Sequence, residues 1–396
     1  MAEVKKNAPD VNDIEKLVFV PLTEDVIDRI PVATEDMTEE EKRAICVEFF
    51  RLQLTFPWTP NETFKGCKTS DGNAILEKGK VYGGNPYIAC TWNSLYHFMM
   101  YYDEKTGVLD VASHRDNIQQ LIGNQCAGGA SWGWRRVTNS QTWRGTQEMT
   151  PHTGLIPLGP YSYDKDLKRW RDPAYGNVST IDVCKENGEQ TMYESYALLK
   201  TADGISTYSG SAGHVRMICK DAVVVRREDG TIDGDESYIT FMHQQTRFFP
   251  RTQPDSTSYE IQGGVGTRRS FAITFEQGYL PFTLPELCGK KKIDKSHTTL
   301  SVGGEALSPK ELKAGIVESN FSIATITLTV PGETEKAAPL YKKVIGVDLS
   351  EYFHYSYPIE SLINEEELAP FAGKKAKIHV RIGTGEKPVV WSGILK

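Results

Sequence analysis

The stretch GNQCAGGASWGWRRV, residues 123–137, decides how the chain is interpreted. A turn at Gly123 and Asn124 comes directly before Cys126, and the small residues after Cys126 can form the first turn of a helix. A cysteine at the amino end of a helix lies near oriented N–H groups and the positive end of the helix dipole, which lower the pKa of a thiol. The sequence therefore predicts Cys126 as a nucleophile, although a cysteine taken alone is more often an inert core residue.

A candidate base lies later in the chain. His214 follows Gly213 at the start of an apolar strand, where an imidazole can face the helix amino terminus across a groove and form a thiolate–imidazolium pair with the thiol. His243 ends the later strand YITFMH and is predicted to orient the His214 ring through its second nitrogen. Gln244 or Gln245 takes that role instead if the register differs by one or two residues.

The order of helical and extended patterns predicts the fold class. TEEEKRAICVEFFRLQL, residues 38–54, begins with a capping Thr38 and has Glu41 three residues on. SLYHFMMYYD, residues 94–103, places apolar residues at helical spacing. After residue 200 the segments GHVRMICK, DAVVVRR, ESYITFMHQQT and RRSFAITF are typical of strands. Helices followed by an antiparallel sheet predict an α+β fold.

Length and composition predict three parts. At 396 residues the chain exceeds the usual size of one domain. Residues 1–38, which include the apolar segment LVFVPL, are predicted to form an arm or edge strand laid on the main domain, and residues 39–290 the main domain. The basic, polar stretch CGKKKIDKSHTT reads as a linker into residues 291–396. There, FSIATITLTV, KKVIGVDL, KIHVRIG and PVVWSGIL predict a β-sandwich-like domain, with one helical turn at SPKELKAG.

Composition also excludes several classes of protein. The net charge of −7 argues against a nucleic-acid partner. No apolar run approaches the roughly 20 residues that span a bilayer. The seven cysteines include no CxxC pair, which argues against structural zinc, and thiol chemistry requires neither a metal nor a cofactor. The amino terminus shows no signal peptide, so either the protein is cytoplasmic or the chain begins after a cleaved signal.

Six short segments follow one another in an order that indicates a family. They are Pro86-Tyr87, Asn124-Gln125-Cys126-Ala127-Gly128 with Trp132 beyond, Ile156-Pro157-Leu158-Gly159, Ala202-Asp203-Gly204, Gly213-His214-Val215 and Phe241-Met242-His243. Taken together, this set resembles the NlpC-type cell-wall peptidases, a branch of the papain-like cysteine hydrolases. The resemblance covers roughly residues 39–250.

The resemblance implies a papain-like domain and a role for each matching residue. The catalytic residues would be Cys126 as nucleophile, His214 as base and His243 as the orienting third residue, and the substrate-binding residues would be Tyr87, Gln125 and Trp132. Two departures bear on specificity. The family has Asp and Ser beside its nucleophile, where this chain has Gln and Ala, which affects recognition of a free amine. Residues 160–192, rich in Tyr and Trp, form an insertion that can cover the groove.

Three functional readings remain open. In the first, the chain is a cysteine hydrolase that cleaves an amide bond in a peptide or a peptidoglycan stem peptide through an acyl-enzyme at Cys126. In the second, it is a catalytically silent papain-like binding module for cell-envelope peptides or glycans. Acyl transfer to an amine shares the first half of the hydrolase mechanism. The resemblance alone implies an extracellular or cell-envelope location, with the β-rich domain available for surface attachment.

Overall fold

The computed structural model describes residues 21–69, 72–88, 92–139, 146–149, 154–163, 179–210, 212–252, 258–334, 337–347 and 355–396. The α-helices in these ranges are α1 (Glu24–Asp28), α2 (Glu39–Thr55), α3 (Leu95–Met99), α4 (Ile118–Leu121), α5 (Cys126–Trp134), α6 (Thr146–Met149), α7 (Thr180–Asn187), α8 (Glu189–Tyr196), α9 (Phe271–Glu276), α10 (Pro309–Lys313) and α11 (Glu365–Leu368). None of the described helices is long and apolar enough to cross a membrane.

Twenty strands accompany these helices in the described ranges. They are β1 (Pro57–Pro60), β2 (Phe64–Thr69), β3 (Gly72–Leu76), β4 (Tyr82–Gly83), β5 (Tyr102–Asp103), β6 (Val108–Leu109), β7 (Ile156–Pro157), β8 (Gly204–Ser209), β9 (Ala212–Val223), β10 (Tyr238–Thr252), β11 (Ser258–Ser270), β12 (Leu280–Thr283), β13 (Thr298–Leu300), β14 (Ala306–Leu307), β15 (Ile316–Ser319), β16 (Ile323–Val330), β17 (Tyr341–Gly346), β18 (Ser356–Pro358), β19 (Lys375–Ile382) and β20 (Val389–Leu395). The chain is therefore α+β, as the sequence predicts.

Ten strands form one sheet, in the order β5-β6-β1-β4-β11-β10-β9-β8-β12-β7. The expectation of an antiparallel sheet is wrong in part, because β1 pairs with β6, and β4 with β11, in parallel. The longest pairing joins β10 to β11 and contains two register shifts, one of them between Phe241 and His243. The pairing of β9 with β10 ends at Met217 and Met242, one residue before His243 on β10 and three residues after His214 on β9.

Helices cover both faces of this sheet. On one face, apolar side chains of α2 and α5 pack against Val215, Met217 and Met242. On the other face, α7, α8 and α9 pack against Ile218 and Phe241. Neighbouring residues of β9 thus face opposite sides, as the alternation of a strand requires. Because helices cover both faces, the side chains along the paired part of β9 and β10 are packed between the sheet and a helix.

Local signals explain most element boundaries. Thr38 Oγ1 accepts a hydrogen bond from the Glu41 N–H, and Glu41 Oε2 accepts one from the Thr38 N–H. These two bonds confirm the predicted capping box of α2. The predicted strand RRSFAITF is wrong in its second half, because β11 ends at Ser270 and a helix follows. Ser270 Oγ caps that helix by accepting from Ile273 N–H at 3.3 Å.

The carboxyl-terminal residues build a core of their own. A three-stranded sheet (β13-β15-β18) and a five-stranded sheet (β14-β20-β19-β16-β17) contribute side chains to one apolar cluster. The predicted helical turn is α10, with Ser308 as its cap. Two arginines tie this part to the rest of the chain: Arg136 donates to Thr384 O at 2.8 Å, and Arg135 donates to Ser322 Oγ at 3.1 Å.

The predicted amino-terminal arm behaves differently from the expectation in its described part, residues 21–38. It forms the short helix α1 and no strand, and most of LVFVPL lies outside the described residues. Glu24 pairs with Lys387 at 2.8 Å, and Arg381 pairs with Asp28. The arm therefore attaches to the carboxyl-terminal five-stranded sheet through charged side chains.

Candidate active site

Cys126 is the first residue of α5, and Gln125 is the N-cap with an extended backbone. Every residue of the helix is buried, so small side chains decide how closely it approaches the sheet. A Cβ placed on Gly129 would collide with Oε1 of Gln244, and one on Gly133 would lie 2.8 Å from Cε of Met217. The glycines after the cysteine therefore bring the helix amino terminus directly onto β9 and β10.

The Cys126 thiol is 3% exposed and lies against the strand that carries His214. Burial raises the pKa of the thiol, while hydrogen bonds from the backbone N–H groups of Val215 and Ala127 and from the Tyr87 hydroxyl act to lower it. The expected lowering by the helix terminus is thus outweighed by loss of solvent, because a thiolate is poorly solvated in an apolar surrounding. At rest, Cys126 is a protonated thiol.

His214 and His243 meet across the point where β9 and β10 separate. His214 Nε2 lies 2.7 Å from His243 Nδ1, and the two rings are nearly perpendicular with centroids 4.9 Å apart. One nitrogen must donate and the other accept. If His214 carries its proton on Nε2, its Nδ1 is free to accept a proton. In that tautomer, His243 Nδ1 accepts a hydrogen bond from His214 Nε2 and fixes the orientation of the His214 ring.

Charge and burial keep the His214 ring neutral. Burial, together with the positive charges of Arg216 and Arg269, lowers the pKa of His214 to about 3. The imidazole is therefore unprotonated at neutral pH, and in this resting state it is a weak base, since a general base works best with a pKa near the working pH. In the described part of the chain, no hydrogen bond joins His214 to the Cys126 thiol.

His243 and Gln244, two of the three candidates for the orienting residue, point in different directions. Gln244 points toward α5 and not toward His214, because its Nε2 donates to Asn85 O at 2.6 Å. His243 is 6% exposed and packs its ring edge-to-face on Phe241 at 5.3 Å. The register shift at this point of β10 aims His243 at His214, which favours His243 as the orienting residue.

The three predicted substrate-binding residues lie in different surroundings. Tyr87 lies beside the thiol, and Gln262 Oε1 accepts from its backbone N–H at 2.9 Å. Gln125 is partly exposed at the helix cap. The expectation for Trp132 is wrong: its side chain is 2% exposed, belongs to an apolar cluster and donates from Nε1 to Trp92 O at 2.8 Å. Trp132 therefore packs the core and is not presented to a ligand.

The Ala202-Asp203-Gly204 segment has a structural role. Asp203 is 1% exposed and pairs with Arg43 at 2.7 Å, which also donates to Thr201 O and Leu287 O. This ion pair fixes α2 against the start of β8. Of the predicted insertion 160–192, the end forms α7 and the start of α8, and residues 164–178 lie outside the described residues.

Sequence reasoning missed a charged group beside the histidines. Arg216, Arg269, Gln277 and Tyr279 gather next to Phe241, and a thiolate formed at Cys126 would interact electrostatically with both Arg216 and Tyr279. The signal was present in GHVRMICK, since strand alternation places Arg216 on the same face as His214. Within the described residues, no group of three or more His, Cys, Asp or Glu side chains could hold a metal ion.

Comparison of the chain with protein-family models, with curated proteins and with solved structures found no match.

Proposed function

We propose that the chain is a papain-like cysteine hydrolase that cleaves an amide bond through an acyl-enzyme at Cys126. One observation carries the proposal: Cys126 begins α5, which packs against β9, the strand that carries His214, and Nε2 of His214 lies 2.7 Å from Nδ1 of His243. This placement of a thiol, an imidazole and a second imidazole supports the proposal, because thiol catalysis uses a nucleophile, a base and a group that orients the base.

The mechanism follows from the neutral resting state. As the substrate carbonyl approaches, Nδ1 of His214 takes the thiol proton and the sulfur attacks the carbonyl carbon. The negative oxygen of the tetrahedral intermediate is stabilised by backbone N–H groups at the start of α5, which have no partner within the helix. The imidazolium then protonates the leaving amine, which departs and leaves the thioester. Water, deprotonated by His214, hydrolyses the thioester and restores the thiol.

The NlpC-type resemblance extends the proposal to the substrate and the location. A peptide or a peptidoglycan stem peptide is the proposed substrate, and the cell envelope or the extracellular space is the proposed site of action. The β-rich carboxyl-terminal part is proposed to attach the enzyme to a surface. Replacement of the family's Asp and Ser by Gln125 and Ala127 argues for recognition that does not depend on a free substrate amine.

The test is turnover by the full chain. Stem peptides and a panel of unrelated peptides are incubated with the wild type and with Cys126→Ala, His214→Ala and the control Cys288→Ala, and the products are identified by mass spectrometry. Cys288 is a partly buried thiol that donates to Pro285 O at 3.6 Å. We expect cleavage by the wild type and by Cys288→Ala alone, with a thioester mass adduct on Cys126.

A second candidate is a catalytically silent binding module for envelope peptides or glycans. The raised pKa of Cys126 favours it, because an inactive relative has no need of a reactive thiol. The same experiment distinguishes the hydrolase from the binding module. Binding of stem peptide that is equal in wild type and Cys126→Ala, with no cleavage and no adduct for any panel member, would replace the hydrolase by the binding module.

A further inference from the structure

The guanidinium of Arg216 is held in place, yet much of its hydrogen-bonding capacity is unused. It lies between the rings of Phe241 and Tyr279, 4.3 Å and 4.1 Å from their centroids, and the residue is 5% exposed. Its Nη2 donates to Gln277 Oε1 at a long 3.5 Å. Nε and Nη1 have no hydrogen-bond partner in the described part of the chain. Buried donors of a charged group left without acceptors are costly.

The surroundings of Arg216 are positive. None of the described carboxylates pairs with it, and Arg269 of β11 donates to the same oxygen of Gln277. Each arginine lowers the pKa of the nearby His214, which shows that both positive charges reach the same place. Two guanidinium groups that share one neutral acceptor repel each other unless an anion lies between or beside them.

This positive region adjoins the reacting groups. Arg216 lies two residues after His214 on the same face of β9. The ring of Phe241 contacts both Arg216 and His243, so the guanidinium and the histidine pair flank one side chain. A thiolate formed at Cys126 would interact electrostatically with Arg216. An anion bound to Arg216 would therefore lie beside the two candidate histidines.

We propose that Arg216 binds a carboxylate of the substrate and selects amides that carry a carboxylate close to the bond that is cleaved. The inference rests on the proposed function, and it adds the acidic character of the substrate and the residue that recognises it. A carboxylate suits the site better than a bulkier anion, because a planar carboxylate can lie in the plane of a guanidinium held between two rings. Arg269 adds a second positive charge to the same side.

The test uses two alkylating agents of equal size, iodoacetate and iodoacetamide, which differ only in carrying a carboxylate or a carboxamide. In each, the sulfur attacks the methylene carbon and iodide leaves. Rate constants for Cys126 are measured by peptide mapping at about pH 8.5, near the pKa of a free thiol. We expect the ratio of the iodoacetate rate to the iodoacetamide rate to exceed that of free cysteine by about tenfold or more, as a charge-assisted hydrogen bond would provide.

Variants assign the preference to Arg216. The ratio should fall to the value of free cysteine in Arg216→Gln, and it should stay at the wild-type value in Arg226→Gln, which removes the same charge from an exposed arginine paired with Glu194. If Arg216→Gln does not fold, the wild-type ratio decides alone. A wild-type ratio equal to that of free cysteine, or one that persists in a folded Arg216→Gln, overturns the proposal.

The outcomes for this proposal and for the hydrolase are separable. Alkylation needs no turnover, so a high ratio in a protein that cleaves no peptide retains the carboxylate site and rejects the hydrolase. Cleavage with an ordinary ratio retains the hydrolase and rejects the carboxylate site. For a cleaved peptide, replacement of the neighbouring carboxylate by a carboxamide should lower kcat/KM by about tenfold or more in wild type only.

Discussion

Nε2 of His214 lies 2.7 Å from Nδ1 of His243, so the imidazole of one strand is oriented by the imidazole of the next. Only one proton can lie between the two nitrogens, and its position determines whether the other nitrogen of His214 can accept a proton. An asparagine at position 243 offers an acceptor oxygen in place of Nδ1. Alanine offers none.

We therefore expect His243→Ala to lower kcat for Cys126-dependent cleavage by about 100-fold, with little change in KM, because general base catalysis contributes on that scale. His243→Asn should recover most of this loss. Steady-state kinetics of the two variants across a pH series provide the measurement. Equal rates in the alanine and asparagine variants would show that His243 only fills space.

The protonated resting state of Cys126 can be measured directly. Because burial raises the pKa of the thiol, its alkylation by iodoacetamide should increase with a midpoint above the value of about 8.5 for a free thiol. His214→Ala should leave this midpoint nearly unchanged, since a neutral imidazole does not stabilise a thiolate. A midpoint below about pH 7 that is lost in His214→Ala would instead show a thiolate–imidazolium pair.

His214 also links stability to pH. Its pKa is lowered in the folded protein to about 3, whereas an unfolded histidine titrates near 6.5. The unfolded chain thus binds more protons between these values, so the stabilisation is complete above about pH 6.5 and is lost as the pH falls toward 3.

Chemical denaturation across this range should give a free energy of unfolding that decreases with falling pH, with a limiting slope of about 1.4 kcal/mol per pH unit for one proton. His214→Gln should flatten the slope. His297→Gln, a substitution at an exposed histidine, should not. The same slope in wild type and His214→Gln would assign the proton uptake to other groups.

The ion pair between Arg43 and Asp203 should contribute strongly to stability. Asp203→Asn leaves a guanidinium that is buried among backbone carbonyls with less compensation, and we expect a loss of about 3–5 kcal/mol in the free energy of unfolding. Glu194→Gln removes an exposed partner of Arg226 and should change the stability little. Similar thermal shifts for the two variants would mean that Arg43 finds another partner.

Close packing of α5 on β10 predicts the effect of a single methyl group. Gly129→Ala places a Cβ against Oε1 of Gln244, and overpacking of this kind costs about 1–3 kcal/mol. Gly303→Ala, where no atom lies within 4 Å of the added Cβ, is the matched control. Thermal melts of both variants supply the comparison, and an unaltered melting temperature for Gly129→Ala would show that Gln244 moves aside at no cost.

Much of the local structure could be predicted because its causes are local. The capping box at Thr38 and Glu41, and the helix that begins at Cys126, depend on residues a few positions apart. The same logic failed at Phe271, where β-forming residues adopt a helix because Ser270 caps it and the apolar face meets α8 and its neighbours. At this segment, tertiary packing outweighs the intrinsic preference of the residues for a β-strand.

The sequence by itself determined the α+β class, the helix that starts at Cys126 and the histidines that stand on later strands. Only the tertiary structure decided that His243 meets His214 while Gln244 turns away, that Trp132 is core, and that Arg216 joins the site. The physical reason is that these relationships depend on which face of a strand is covered and on where two strands separate. Those features arise from contacts between residues far apart in the chain, and no local pattern records them.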